Sequence, residues 1–181
     1  MKNKEIELKF VITPMQKELI LRDLELNAKY ENEKRQIDTY YIPNFKSFEE
    51  NGETKECLRI RESGESCVLC YKQIHRDANP VYCDEYELKV ENREEMEKIL
   101  FALGFEIQMK IDKIRKTFSL GGFEIELDQV NGKLELLEVE LKDENLTTED
   151  ILNYVQKFGL SIENVTYRGI QLLVKDLGMW N

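Results

Sequence analysis

Hydrophobic and polar residues alternate with a period of two along most of the chain. Glu5, Glu7 and Lys9 alternate with Ile6, Leu8 and Phe10. Glu85, Glu87 and Lys89 alternate with Tyr86, Leu88 and Val90, and Glu138, Glu140 and Lys142 with Leu137, Val139 and Leu141. Basic positions follow the same rule: Arg59 and Arg61 flank Ile60, Lys72 follows Tyr71, and Lys113 and Arg115 flank Ile114. Glu124, Glu126 and Asp128 alternate with Phe123, Ile125 and Leu127. This period predicts strands with one charged and one apolar face. Besides the three Glu-x-Glu-x-Lys segments, strands are expected over Arg35 to Ile42, Cys57 to Glu62, Cys67 to Gln73, Asp112 to Leu120 and Phe123 to Val130.

Each Glu-x-Glu-x-Lys segment leads into a helix-start signal. Thr13 and Pro14 supply a cap and a first-turn proline. Asn92 and Glu95 stand at capping-box spacing. Thr147 and Thr148 precede Glu149 and Asp150, acids suited to a helix N-terminus. Met96, Ile99, Leu100 and Leu103 are expected to share one helix face, as are Ile151, Leu152, Val155 and Phe158. Gly104 and Gly159 are the expected stops. No Gly/Ser-rich linker divides the chain, Asn44 to Lys55 is expected to be a loop, and Asp77 to Pro80 a turn. A single domain over residues 1–181 is therefore expected, of the α+β class, with an antiparallel sheet and flanking amphipathic helices. Met179 and Trp180 are expected to close its core.

Two arrangements fit a set of half-charged strands. One is an open sheet with a solvated charged face. The other is a barrel whose apolar exterior is covered by the helices and whose lumen holds the charge.

Composition narrows the function. The 181 residues carry 34% charged and 41% hydrophobic residues and a net charge of −10. That balance argues against a general nucleic-acid binder. No apolar run approaches the ~20 residues of a membrane span, and no apolar leader follows the charged start, so a cytoplasmic location is expected. Cys67 and Cys70 have zinc-like spacing, but in a strand they fall on opposite faces, and the four cysteines are expected to be reduced, mostly buried thiols. The single histidine, His75, disfavours a His-based zinc enzyme.

Clustered Glu and Asp suit a divalent cation, and interleaved Arg and Lys suit the non-bridging oxygens of a polyphosphate. Without a metal, such carboxylates repel and take up protons.

In order along the chain stand Glu5-x-Glu7-x-Lys9, Gln36-Ile37-Asp38-Thr39-Tyr40-Tyr41, Leu58-Arg59-Ile60-Arg61, Tyr71-Lys72, Glu85-x-Glu87, Lys113-x-Arg115, and Leu127-Asp128-x-Val130 leading to Glu138-x-Glu140. This ordered set resembles the CYTH family, the triphosphate tunnel metalloenzymes. Family members include class IV adenylyl cyclases, thiamine triphosphatases and inorganic triphosphatases. The resemblance implies a closed eight-stranded antiparallel β-barrel forming a tunnel. It implies that Glu5, Glu7, Asp128, Glu138 and Glu140 hold Mg²⁺ or Mn²⁺. Lys9, Arg59, Arg61, Lys72, Lys113 and Arg115 would grip the triphosphate. Lys9, Glu85 and Glu87 are the implied catalytic residues, the two acids near substrate, metal or an attacking water. Cys83 stands where many members have Arg, Asn131-Gly132-Lys133 replaces a Gly-Leu-Gly-like turn, and Thr166 replaces a Ser before Tyr167.

The expected activity is metal-dependent hydrolysis of a triphosphate: tripolyphosphate, ATP or thiamine triphosphate. A class IV adenylyl cyclase making cyclic AMP and pyrophosphate is the first alternative. A non-catalytic polyphosphate- or nucleotide-binding module is the second. No nucleic-acid polymer or membrane is an expected partner, and a homodimer is left open.

Overall fold

The computed structural model describes residues 4–179; Met1 to Asn3, Trp180 and Asn181 lie outside the described residues. The elements in chain order are β1 (Lys4–Glu5), β2 (Glu7–Ile12), α1 (Pro14–Asn27), β3 (Lys29–Pro43), β4 (Glu49–Glu50), β5 (Glu53–Thr54), β6 (Glu56–Ser63) and β7 (Ser66–His75). Then follow β8 (Tyr82–Lys89), α2 (Arg93–Ala102), β9 (Phe105–Leu120), β10 (Phe123–Val130), β11 (Leu134–Leu141), α3 (Thr148–Val155) and α4 (Ile170–Asp176).

Nine strands form one sheet in the order β1-β8-β7-β6-β3-β9-β10-β11-β2. Its two ends, β1 and β2, are one run of chain broken only at Ile6, so the order returns to its start: the antiparallel barrel topology of an α+β protein. The count is nine rather than eight because the N-terminal segment divides. Ile6 leaves the ladder, and its carbonyl accepts the Leu141 N–H at 2.9 Å. β4 and β5 form a separate two-stranded ribbon inside the expected loop.

The chain forms two compact units, one built mainly from Arg35–Asp112 and Arg168–Asn181, the other from Glu5–Lys34 and Lys113–Tyr167. In the second unit, α1 and α3 pack on the apolar faces of β2, β10 and β11. Phe10, Ile20, Ile125, Leu137, Val139, Ile151 and Val155 are fully buried there. Thr13 caps α1 reciprocally with Gln16, and Thr147 caps α3 with Asp150. In the first unit, α2 buries Leu100 against Tyr41, Phe48, Leu58 and Ile60. Asn92 Oδ1 accepts the Glu95 N–H at 3.1 Å, while the Glu95 carboxylate turns to Lys98 at 2.6 Å instead of closing the box.

Three expectations need correction. The helices do not cover every apolar strand face: Tyr86 and Leu88 on β8 are exposed. Ile99 and Leu103 are exposed as well, because the inward stripe of α2 is centred on Leu100 and Met96. A fourth helix, α4, buries Ile170, Leu172 and Val174. Its start is set by Gly169, where a side chain would meet Thr54 Oγ1 at 2.7 Å and Gln171 Oε1 at 2.5 Å. No helix among the described residues is long and apolar enough to cross a membrane.

Candidate active site

The charged face of the second unit is assembled by strand register. Lys9 stands opposite Glu138, Glu138 opposite Glu126, and Asp128 opposite Arg115. One row further on, Glu7 stands opposite Glu140, and Glu140 opposite Glu124. Like charges directly opposite one another destabilise a sheet unless something offsets them.

Basic side chains offset part of this. Lys113 Nζ lies 2.7 Å from Asp128 Oδ2, and neither side chain exposes any surface. Arg115 donates to both oxygens of Asp128, at 2.7 and 2.5 Å, and to Glu138 Oε2 at 2.6 Å. It also pairs with Glu126. Lys9 Nζ lies 3.0 Å from Glu138 and 3.4 Å from Glu7. Lys142 reaches Glu140 at 2.6 Å and Glu124 at 3.0 Å.

The acids divide into two groups. Burial opposes ionisation of Asp128, but Arg115 and Lys113 outweigh it and hold its carboxyl below the usual range. Glu138 is likewise held well down, burial being outweighed by Lys9, Arg115 and Lys113. Glu126 behaves oppositely. Burial pushes it up to about 7 against Arg115, and the neighbouring Glu138 and Asp128 push it further. Burial also lifts Glu140 to about 7, with Lys142 opposing and Glu5 adding to the rise. Glu126 and Glu140 thus stand beside other acids and supply carboxylate oxygens, the ligand type a divalent cation takes.

The first unit carries a different cluster. Asp38 is fully buried and receives a bidentate pair from Arg61, Nε at 2.7 Å and Nη2 at 2.8 Å. Arg59, almost fully buried, makes only long contacts, 3.7 Å to Asp38 and 3.8 Å to Glu85. Its Nε is buried with no hydrogen-bond partner among the described residues. Such a donor is costly to leave unsatisfied, and it suits an incoming oxyanion. Lys72 lies 3.2 Å from Glu85, and the Cys70 thiol donates to Glu85 at 3.1 Å. Burial opposes ionisation of Glu85, but Lys72, the Cys70 thiol and Arg59 hold its pKa down. Burial pushes the Cys70 thiol up to about 12, so it remains a neutral donor.

Every expected site residue thus lies on a strand or the adjoining run. Arg59, Arg61, Lys72, Glu85 and Glu87 belong to the first unit. Lys9, Lys113, Arg115, Glu5, Glu7, Asp128, Glu138 and Glu140 belong to the second. Among the described residues, the three potential ligand groups that converge within 4.8 Å are Cys70, Glu85 and Glu87. The five expected metal ligands do not form such a group there; Asp128, Glu138, Glu7 and Glu140 are drawn toward Lys113, Arg115, Lys9 and Lys142. Cys67 packs with the α2 core while Cys70 lies against Glu85, so the Cys-x-x-Cys pair is split between faces.

Two site residues were not among the expected ones. Glu126 follows the Glu124-x-Glu126-x-Asp128 alternation, which was a sufficient signal. Asp38 was visible only as part of a matching motif. Its neighbours Ile37 and Thr39 give no charge alternation, and its role depends on Arg61 of β6, paired directly opposite.

The model of the CYTH domain matches residues 3–169. The chain belongs to the CYTH domain family. MJ0240 of Methanocaldococcus jannaschii, a protein named as a candidate adenylate cyclase, is 28% identical over 166 residues, 89% of this chain and 93% of that protein. The PH1012 protein of Pyrococcus horikoshii has a similar structure, with a TM-score of 0.74 and 25% identity over 92% of this chain and 97% of that one. HpAC1 of Hippeastrum is a candidate adenylyl cyclase in which a dominant triphosphatase activity was found. It shares the fold, with a TM-score of 0.66 and 15% identity over 97% of this chain and 96% of that one. The printed names of these similar proteins thus refer to cyclase chemistry in one case and to triphosphatase activity in another.

Proposed function

We propose that this CYTH protein hydrolyses a triphosphate, inorganic or organic, with the help of Mg²⁺ or Mn²⁺. The observation that carries the reading is the acid-on-acid register of Glu7, Glu140 and Glu124 beside Glu126 and Glu138. Burial alone would not retain that many opposed carboxylates, and Glu126 and Glu140 already hold their protons to about 7. Glu7, Glu138 and Glu140, with Glu5 and Asp128, would hold the ion. When bound, the ion supplies neutralisation of charge developing on the phosphoryl oxygens.

The chain's own side chains do the remaining work. Arg59 offers its unsatisfied guanidinium edge to non-bridging oxygens. Arg61 is committed to Asp38 and keeps the Arg59 neighbourhood rigid. In the second unit Lys9, Lys113 and Arg115, and in the first Lys72, are cations that exchange carboxylate partners for phosphate oxygens. Glu85, ionised and fixed by Lys72 and Cys70, accepts a hydrogen bond from the attacking water. Its lowered pKa makes it an orienting group more than a proton store.

A cyclase is the second reading, favoured by the naming of the 28% identical MJ0240. It uses the same phosphate grip with the ribose 3′-hydroxyl in place of water. Purified protein is incubated with tripolyphosphate, ATP and thiamine triphosphate, with Mg²⁺, Mn²⁺ or chelator. Orthophosphate release that needs metal and disappears in Glu138→Gln supports the hydrolase. Cyclic AMP as the main product of ATP contradicts it. Tight triphosphate binding with no turnover of any substrate identifies a binding module instead.

A further inference from the structure

Cys70, Glu85 and Glu87 come together from two paired strands of the first unit. Cys70 on β7 stands directly opposite Glu87 on β8, and Lys72 opposite Glu85. These four side chains share the charged face, because positions two apart on a strand point the same way. The Cys70 thiol donates to Glu85 at 3.1 Å, and ligand atoms of Cys70, Glu85 and Glu87 lie within 4.8 Å of one another. Cys70 is buried, Glu85 half-buried and Glu87 exposed.

Two members of this neighbourhood lack partners. Glu85 has Lys72 at 3.2 Å and Arg59 at 3.8 Å, whereas Glu87 makes no ion pair among the described residues. Arg59 stands opposite Cys70 in the β6–β7 register, so Arg59, Cys70 and Glu87 lie side by side across three strands. The Arg59 side chain is nine-tenths buried, and its Nε has no hydrogen-bond partner among the described residues.

Ligand type decides which ion fits. A thiolate with two carboxylates selects a borderline or soft dication, Zn²⁺, Co²⁺ or Cd²⁺, over Mg²⁺, which takes oxygen ligands. Three protein ligands and one open position make a tetrahedral shell of the zinc type. Ligand atoms in that shell stand about 3.5 Å apart, from bonds of about 2.3 Å to sulfur and about 2.1 Å to oxygen. Cys70 and Glu85 are already within that distance, and the exposed, unpaired Glu87 can swing the remainder.

Charge decides what fills the fourth position. Glu85 and Glu87 balance Lys72 and Arg59. A dication that displaces the thiol proton raises this sum by one, so an anionic fourth ligand restores the balance. Arg59 Nε is the donor available to hold it.

We propose that Cys70, Glu85 and Glu87 form a binding site for a zinc-type dication, with an anion as fourth ligand beside Arg59. On binding, the Cys70 S–H bond breaks, a sulfur–metal bond forms and the proton passes to solvent, with no transfer of electrons. Cys67 takes no part, since it packs with the α2 core. The site stands whether or not the protein hydrolyses a triphosphate, because its signature is a bound ion.

Titration of the full chain with Co²⁺ tests this, in buffer holding excess Mg²⁺ to occupy sites built from oxygen alone. One equivalent of Co²⁺ should bind, release a proton, and give a sulfur-to-cobalt charge-transfer band together with the intense visible bands of a tetrahedral site. Zn²⁺ should displace the cobalt and abolish both signals. Cys70→Ser should remove the charge-transfer band and Cys57→Ser should keep it, with far-UV circular dichroism confirming that both are folded. Glu87→Gln, at an exposed position, should weaken Co²⁺ binding by about tenfold or more. A wild type without the band, a band that persists in Cys70→Ser, or unchanged affinity in Glu87→Gln overturns the proposal.

Discussion

Lys113 and Asp128 form an ion pair 2.7 Å long from which solvent is fully excluded, and Arg115 closes on the same carboxylate from the other side. Arg115 also pairs with Glu126 and Glu138, whereas Lys113, fully buried, is held by Asp128. Asp128→Ala should cost about 3–5 kcal/mol, as expected when one partner of a buried pair is removed. Joint replacement, Lys113→Met with Asp128→Leu, should cost less than Asp128→Ala alone although it alters two residues. Urea unfolding with tyrosine fluorescence measures both.

Arg59 should separate stability from activity. Its Nε has no partner and its ionic contacts are 3.7 and 3.8 Å, so it adds little to folding, while Arg61 alone holds Asp38 bidentately. Arg59→Met should change the unfolding free energy by less than about 1 kcal/mol. Turnover of the triphosphate should fall by about 10²–10³, the usual loss when a preorganised donor to a phosphoryl group is deleted. Arg59→Lys should recover little, because an ammonium cannot reproduce the guanidinium edge. Paired calorimetry and steady-state kinetics on the same preparations provide the comparison.

Glu126 gives the fold a pH signature. Its carboxyl is raised by burial to about 7 in the folded protein, against an ordinary value near 4.5 when unfolded. The folded state therefore binds the proton more tightly. Its stabilising contribution is complete below the unfolded value and is lost as pH rises through 7. Glu126→Gln cannot ionise, so in chelator its melting temperature should gain on wild type as pH is raised from about 5 to about 8, by roughly 2–4 °C. Equal differences at both pH values would show that Glu126 is not raised.

Cys70 should be chemically silent in the native protein. Its thiol is buried, donates to Glu85, and is pushed up to about 12, so the nucleophilic thiolate is scarce at neutral pH. Iodoacetamide at about pH 8 should modify Cys70 slowly in folded protein and quickly in urea, as resolved by peptide mass spectrometry. Rapid native labelling would contradict the Cys70–Glu85 contact.

The repeated strand–cap–helix unit was legible because each part is local. Alternation at Glu138 to Lys142, caps at Thr13 and Thr147, and a stop at Gly159 need no distant partner. Phe123–Val130 emerges with the boundaries its alternation predicts. The N-terminal extensions of β3 and β9, Lys29 to Lys34 and Phe105 to Ile111, were not legible; Lys29 to Lys34 is nearly all polar, and a strand there is fixed by its sheet neighbours. α4 was missed because it has only seven residues and depends on Gly169 meeting Thr54. In the site, residue types and faces could be read from alternation, whereas the partners could not. That Arg61 goes to Asp38 while Arg59 stays under-bonded, and that Glu126 rather than Asp128 keeps its proton, depends on register and burial.

The central claim is metal-dependent attack of water on a triphosphate, and phosphorus NMR of the product mixture tests it most directly. With ATP or tripolyphosphate and Mg²⁺ or Mn²⁺, the spectrum should gain orthophosphate together with ADP or pyrophosphate, and should stay unchanged in chelator. Pyrophosphate appearing with cyclic AMP from ATP, or orthophosphate release that persists in chelator, would contradict it.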